Sequence, residues 1–360
     1  KYGPVVWVTH MENHSNHTSG FETMSDVVVL TPDKDLLVDP EELRRQLENY
    51  KDRPLKIGAF TACSNVTGVG TPYHQLARIM HENGGFCFID FAASAPYADI
   101  NMHPGDPLEK LDAVLFSPHK FLGGPGSSGV LIFDRSMYKS RTPDQPGGGT
   151  VDWTNPWGEY KYVDDIELRE DGGTPGFMQA IRTALCIELK ERMGTINIAK
   201  REEELLDHAF KGMDKIPGLH ILANNQRKRL GVISFYFENI HYNLVVKLLS
   251  DKYGVQVRGG CACAGTYGHY LLDVSYEHSK RITELINHGD LSQKPGWVRL
   301  SLHPTMKNSE LDYILSALKE ISIHHQTWMK DYMYNKHTNE FRHIRDNCHI
   351  NNRVNEWFKL

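Results

Sequence analysis

The feature that most constrains this chain is an alternation over its first 133 residues, in which short apolar runs are separated by stretches of helix length. Val5–Thr9, Asp26–Leu30, Lys56–Ala62, Phe86–Asp90, Ala113–Ser117 and Gly129–Phe133 each read as a buried strand. Between them, Asp39-Pro40-Glu41-Glu42 supplies an N-cap, a proline at the first helical position and acids in the first turn of a helix running to about Tyr50. Thr71-Pro72 opens a second helix with Leu76, Ile79 and Met80 on one face, and Asn83-Gly84-Gly85 ends it. Continuous apolar strands joined by helices predict a mostly parallel sheet covered on both faces. Ligands of such sheets sit outside the carboxyl ends of the strands, and both Asp90 and Ser117–Lys120 fall just past such ends.

The pattern breaks at residues 135–175, where prolines and glycines are dense enough to predict ordered loops around a site. Helix formers dominate from Phe177 to about Met213. Strands at His220–Ala223, Val232–Phe237, Val255–Arg258 and Gly296–Leu302 follow, with helices at Tyr242–Lys252 and Ser309–Ile321. The predicted division is a large domain over 1–190, a small α+β domain over 191–325 and a peripheral helical tail over 326–360. No apolar run approaches the ~20 residues that cross a bilayer, so no membrane partner is expected. A net charge of −5 gives no electrostatic reason to expect nucleic acid. Six cysteines are too few and too irregular for a disulfide framework in 360 residues, which predicts a reducing, cytoplasmic setting. Lys1–Thr9 has no signal-peptide pattern and runs straight into a strand, as though the chain were cut at its front.

Candidate chemistry concentrates in Ser117-Pro118-His119-Lys120-Phe121-Leu122-Gly123-Gly124 and the glycine-rich stretch after it. Gly124–Gly129 spells GxGxxG but leads into a strand, so the dinucleotide reading fails, and no phosphate-loop Lys-Ser or Lys-Thr follows. Lys120 is either a surface lysine before a turn or an amine that forms a Schiff base. Asp90 is either a helix cap or the carboxylate that pairs with a protonated pyridine nitrogen, an ion pair that pyridoxal phosphate chemistry requires. Together, at two strand ends of one sheet, they favour the second reading of each. Cys261 and Cys263 are structural thiols, half of a metal site, or a reactive pair; with no second cysteine pair, zinc is weakly supported.

On these residues the chain resembles, over roughly 5–325, the fold-type I, class V aminotransferase family of pyridoxal-phosphate enzymes, in its cysteine desulfurase and selenocysteine lyase branch. The resemblance implies that Lys120 forms the Schiff base, Asp90 meets the pyridine nitrogen, and Ser117 and His119 lie near the cofactor phosphate. It implies that Asn65 lies near the cofactor oxygen and the substrate, and that Arg299 clamps the substrate carboxylate through its guanidinium fork. It places Thr174 at the phosphate of the partner subunit in a homodimer. Cys263, five residues after the strand-end Arg258, holds the place of the sulfur-receiving cysteine.

The activity implied is removal of sulfur or selenium from L-cysteine or L-selenocysteine, giving alanine and an enzyme persulfide that supplies an acceptor protein. The sequence departs from the family at Asn13, where a ring-stacking histidine is usual, with His14 adjacent and open to recruitment. It departs again at Ala93, where a glutamine is usual, and the family's phosphate loop would lie ahead of Lys1. An aminotransferase or β-lyase indifferent to Cys263 stays open, as does a catalytically impaired relative. A metallohydrolase built on His10, His14 and His17 is the remaining alternative. The His10/His14 spacing fits one helix face, but the strand-to-loop context predicts no helix there.

Overall fold

The computed structural model describes residues 3–345 and 350–359; Cys348 lies outside them. Six strands form the first sheet: β1 (Val5–Thr9), β2 (Asp26–Leu30), β3 (Lys56–Thr61), β4 (Phe86–Asp90), β5 (Ala113–Phe116) and β6 (Val130–Phe133). Their spatial order is β2-β1-β3-β4-β5-β6, all parallel neighbours except the antiparallel β5–β6 pair. The order turns back at β1, with β2 on one side and β3 on the other, which opens a crevice at the carboxyl ends. Trp7, Phe60, Leu43 and Leu76 are fully buried in the core between sheet and helices.

Helix α1 (His14–Phe21) is the first difference from expectation. None of its residues is buried, so no apolar period announces it; the Asn13 side chain caps it, accepting from Ser15 N at 3.0 Å. Helices α2 (Pro40–Glu48) and α3 (Tyr73–Glu82) lie where expected. Asp39 caps the first, and Leu76, Ile79 and Met80 are buried along the second. Within 135–175, a hairpin of β7 (Val151–Thr154) and β8 (Tyr160–Tyr162) and the short helix α4 (Ile166–Glu170) interrupt the loops. Helices α5 (Phe177–Met193) and α6 (Thr195–Met213) meet at Gly194, whose φ of +79° suits glycine.

The second sheet contains β9 (Leu219–Ile221), β10 (Val232–Phe237), β11 (Arg258–Gly260) and β12 (Trp297–Ser301), in the antiparallel order β11-β12-β10-β9. Helix α7 (Tyr242–Tyr253) packs on it with Leu248 buried in the same core as Phe235 and Val298. The strand expected at Val255–Arg258 starts at Arg258 instead. Gly254, at φ +64°, turns the chain out of α7, and Val255 N bonds back to Leu249 O at 3.0 Å. Helices α8 (Gly265–Leu271) and α9 (Tyr276–Asn287) occupy the stretch before β12.

The tail departs most from expectation. Helix α10 (Asn308–Trp328) runs on to Trp328, and a hairpin of β13 (Tyr332–Asn335) and β14 (Glu340–His343) precedes the terminal helix α11 (Ile350–Trp357). Tyr332 and Phe341 pack against the second core. Asn339 at the hairpin turn donates to Tyr242 Oη at 2.6 Å and docks the hairpin on α7. No described helix is long and apolar enough to cross a membrane.

Candidate active site

The carboxyl ends of β1, β3, β4 and β5 share one edge of the first sheet and carry most of the candidate residues there. Asp90 closes β4, its Oδ1 accepting from Ala92 N at 2.8 Å. Burial raises the Asp90 pKa, while the Ala92 hydrogen bond and the charge of Lys120 pull it back. Lys120 follows β5 in a single 3-10 turn, its N bonded to Ser117 O at 3.0 Å. Gly124 permits that turn: a Cβ there would stand 1.9 Å from Pro118 O. Burial lowers the Lys120 pKa, Asp90 opposes this, and Arg299 and Arg258 lower it further. Lys120 is exposed as a residue, yet enough protein surrounds its amine for desolvation to be the largest influence on it. Lys120 and Asp90 feel each other's charge without forming an ion pair.

The second sheet supplies the opposite wall. Arg299 on β12 pairs across the strands with Arg258 on β11. Two guanidinium groups opposite each other repel unless an anion joins them. Arg299 Nη1 donates to Asn65 O at 3.0 Å, while its Nε is buried without a partner. Asn65 Nδ2 donates to Ala262 O at 2.7 Å, and its Oδ1 is likewise buried and unpartnered. Burial lowers the Arg299 pKa most, and Arg258 adds to the effect. Buried polar atoms left bare in this way are expensive and point to a polar ligand.

Cys263 stands between these walls, and Arg258 Nη2 donates to its Sγ at 3.5 Å. Ala262 and Cys263 have consecutive left-handed φ values of +50° and +58°, a conformation that costs non-glycine residues about 1–2 kcal/mol each. Three clamps hold the strained loop. One is Asn65 on Ala262 O; the second is His14 N, which donates to Cys263 O at 2.7 Å. The third is Gly265 N, which donates to His14 Nε2 at 2.9 Å. Since Nε2 accepts, the proton of the neutral His14 ring belongs on Nδ1. Asn13 Oδ1 is committed to the α1 cap.

The structure therefore links these residues: Asp90 and Arg299 lie within charge range of Lys120, Cys263 within range of Arg299, Asn65 O accepts from Arg299, and His14 N holds the Cys263 loop. Ser117 joins Lys120 only through the backbone of the turn; His119 is exposed and makes no side-chain hydrogen bond among the described residues. Thr174 is exposed with no hydrogen bond or ion pair among them, and Ala93 presents a half-buried methyl group. His10 bonds Leu36 O through Nε2 at 3.1 Å, and His17 Nδ1 meets Thr266 Oγ1 at 3.3 Å. No three metal-ligating side chains converge among the described residues.

Sequence reasoning missed Glu12 and gave Arg258 no role. The Glu12 carboxylate is buried; Oε1 accepts from Thr61 N at 2.9 Å and Thr9 Oγ1 at 2.7 Å, and Oε2 from Asn16 Nδ2 at 2.8 Å. It thereby staples β1 to β3 beneath the turn that carries Asn13 and His14. The available signal was an acid just past an apolar strand, as at Asp90.

The Aminotransferase class-V family profile matches residues 1–314. The chain belongs to this family. A probable cysteine desulfurase of Halalkalibacterium halodurans is 28% identical over 270 residues, 73% of this chain and 62% of that protein. A probable cysteine desulfurase of Staphylococcus epidermidis is 31% identical over 268 residues, again 73% of this chain and 62% of that protein. This class-V chain thus spans about three-fifths of the length of the curated relatives it matches. Among solved structures, the cysteine desulfurase of Thermococcus onnurineus aligns with a TM-score of 0.72 and 24% identity, covering 90% of this chain and 74% of that one. The Escherichia coli cysteine desulfurase CsdA aligns at 0.70 and 21%, covering 90% and 73%. These likenesses identify the class-V fold, a mostly parallel large sheet with helices on its faces and a smaller antiparallel sheet beside it.

Proposed function

We propose that this class-V chain is the greater part of a pyridoxal-phosphate-dependent cysteine desulfurase. The observation that carries the reading is a thiol, Cys263, held by Arg258 in the cation cluster that also contains Lys120 and Arg299. The residues fit the cofactor. Lys120 lies within charge range of Asp90, Arg299 and Arg258, and among the described residues Asn65 Oδ1 and Arg299 Nε are buried without partners. Lys120 would hold the group through its amine, Asp90 through the ring nitrogen, and Ser117 and His119 near the phosphate. When bound, the cofactor supplies an electron sink for a carbanion at the substrate Cα.

Arg299 grips the substrate carboxylate, for which a guanidinium fork is suited. Lys120, its pKa lowered, keeps more neutral amine available to take the Cα proton. The Cys263 thiolate attacks the substrate sulfur; an S–S bond forms, the C–S bond breaks with its electron pair left on carbon, and the fragment takes one proton at Cβ and regains the one at Cα to leave as alanine. Asn65 and His14 keep the thiol on station. Asn13, engaged in its cap, lends position and no proton-transfer group. L-selenocysteine would follow the same course.

The homodimer is part of the proposal, supported by an exposed apolar face on α5 next to Thr174, which would reach the partner's cofactor phosphate. So is a cytoplasmic setting, supported by five free thiols among the described cysteines. The test is Cys263→Ala in the full-length protein. Sulfide release from L-cysteine should fall on the order of a thousandfold, while the cofactor absorbance stays. Sulfide release at the original rate would overturn the reading in favour of a β-lyase.

A further inference from the structure

A cavity of about 1050 Å³ opens on the side of the Cys263 loop that faces α7 and the β13–β14 hairpin. Its volume matches that of sites for drug-sized molecules, ~300–1,000 Å³. Gly259 to Cys263 line one side of it; Gly260 has nothing within 4 Å of an added Cβ, while Gly259 is packed against Asn243 and Val246. The far wall is the hairpin, which lies past residue 314, the last one matched by the family profile. The lining is cationic. Among the described residues the Arg258 side chain hydrogen-bonds only the Cys263 sulfur, and Lys294 has no side-chain partner. Lys247 is matched by Asp251 at 2.9 Å, leaving Glu340 as the one lining acid among the described residues. Arg258 and Cys263 line this cavity, whereas Lys120, Asp90, Asn65 and Arg299 are not among its lining residues; Arg258 also lies within charge range of Lys120.

We propose that this cavity binds a small carboxylate-bearing thiol, of about tripeptide size, that takes the sulfur from Cys263. The inference deepens the desulfurase reading and rests on it. A persulfide on Cys263 must pass its outer sulfur to a nucleophile before the thiol can act again. The acceptor thiolate attacks the outer sulfur and forms a new S–S bond. The bond to Cys263 Sγ breaks, its electron pair returns to Sγ beside Arg258, and the acceptor leaves as a persulfide. No oxidant or reductant is consumed. Substrate would reach the thiol from the Lys120 side and acceptor from the hairpin side, so the two thiols need not compete for one pocket.

The test uses thiol–disulfide exchange at Cys263, which needs no turnover. In full-length protein carrying Cys261→Ser, modification of Cys263 is followed by peptide mass with two probes. One is the dianionic disulfide dithiobis(nitrobenzoate) and the other the neutral dithiodipyridine, each rate being divided by that of free N-acetylcysteine. The anionic probe should be favoured on the order of tenfold, and the preference should shrink as salt rises. Lys294→Glu should abolish the preference and Lys294→Gln reduce it, with the neutral probe as internal control for folding. An unbiased ratio, or one that Lys294→Glu leaves intact, overturns the acceptor site. Separately, L-cysteine should add one sulfur atom to Cys263 in the holoenzyme; failure there overturns the desulfurase reading itself.

Discussion

Glu202 lies buried in α6 with its Oε1 accepting from Gly231 N at 3.1 Å, and burial lifts its pKa to about 7. Glu12 is raised to about 7 by the same cause, against four hydrogen bonds that lower it. An acid whose folded pKa exceeds its unfolded value binds more protons in the native state. The contribution of these two acids to stability is therefore largest below the unfolded pKa near 4.5 and is lost as pH climbs to about 7. Glu202→Gln keeps the acceptor for Gly231 N and removes the charge. Thermal melts should show it more stable than the parent above pH 7, by on the order of 1–3 kcal/mol, and no different at pH 4. Equal curves at both pH values would mean the carboxylate is solvated. Residues such as Asp90, Lys120 and Arg299 were legible in the sequence because each sits at or within a strand beside a recognisable motif. The clamp by His14 was not, because its partner Gly265 lies 251 residues away and the contact exists only once the two sheets meet.

At the scale of elements, the turn that carries Lys120 depends on two adjacent glycines for different reasons. Gly123 needs only a positive φ of +78°, with nothing within 4 Å of an added Cβ. Gly124 needs the missing Cβ itself, which would collide with the Pro118 carbonyl. Gly123→Ala should cost about 1–2 kcal/mol and leave cofactor absorbance in place. Gly124→Ala should cost about 3 kcal/mol or more, or force the turn open and release the cofactor from Lys120. Melting temperature and the absorbance spectrum together separate these results; identical behaviour of the two variants would contradict the crowding argument. Helix α2 was readable from the Asp39 cap and from Leu43 and Leu47, whereas α3 was readable from its apolar period alone, since Thr71 donates to Thr61 O and no side chain caps that helix. Helix α1 and the β13–β14 hairpin were not. The first buries nothing, and the second takes its shape from an asparagine turn docked on α7, a contact no local pattern records.

For the whole molecule, near-continuous apolar strands announced the parallel sheet, because a strand buried on both faces carries that signature alone. The way the molecule covers its helices is a different matter, and α5 carries the clue. Cys186 and Lys190 are buried on one side of α5, where Cys186 and Lys190 contact the Lys120 turn and Ala98 O respectively. Phe177, Ile181 and Leu185, spaced at four-residue intervals along one face, are 62%, 53% and 60% exposed. Leu131 and Ile132 on edge strand β6 are exposed too. Apolar patches of this extent mark contact sites, and the occupant proposed here is a second copy, since the patch borders the loop that presents Thr174. Ile181→Asp would put a charge at the centre of that contact. Sedimentation should show the parent as a dimer and the variant dissociating on the order of a hundredfold more readily. Cofactor retention should fall together with dimerisation, because each subunit's Thr174 would serve the other's site. A parent protein that sediments as a monomer at high concentration would remove the second copy from the proposal, and Thr174 from the site with it.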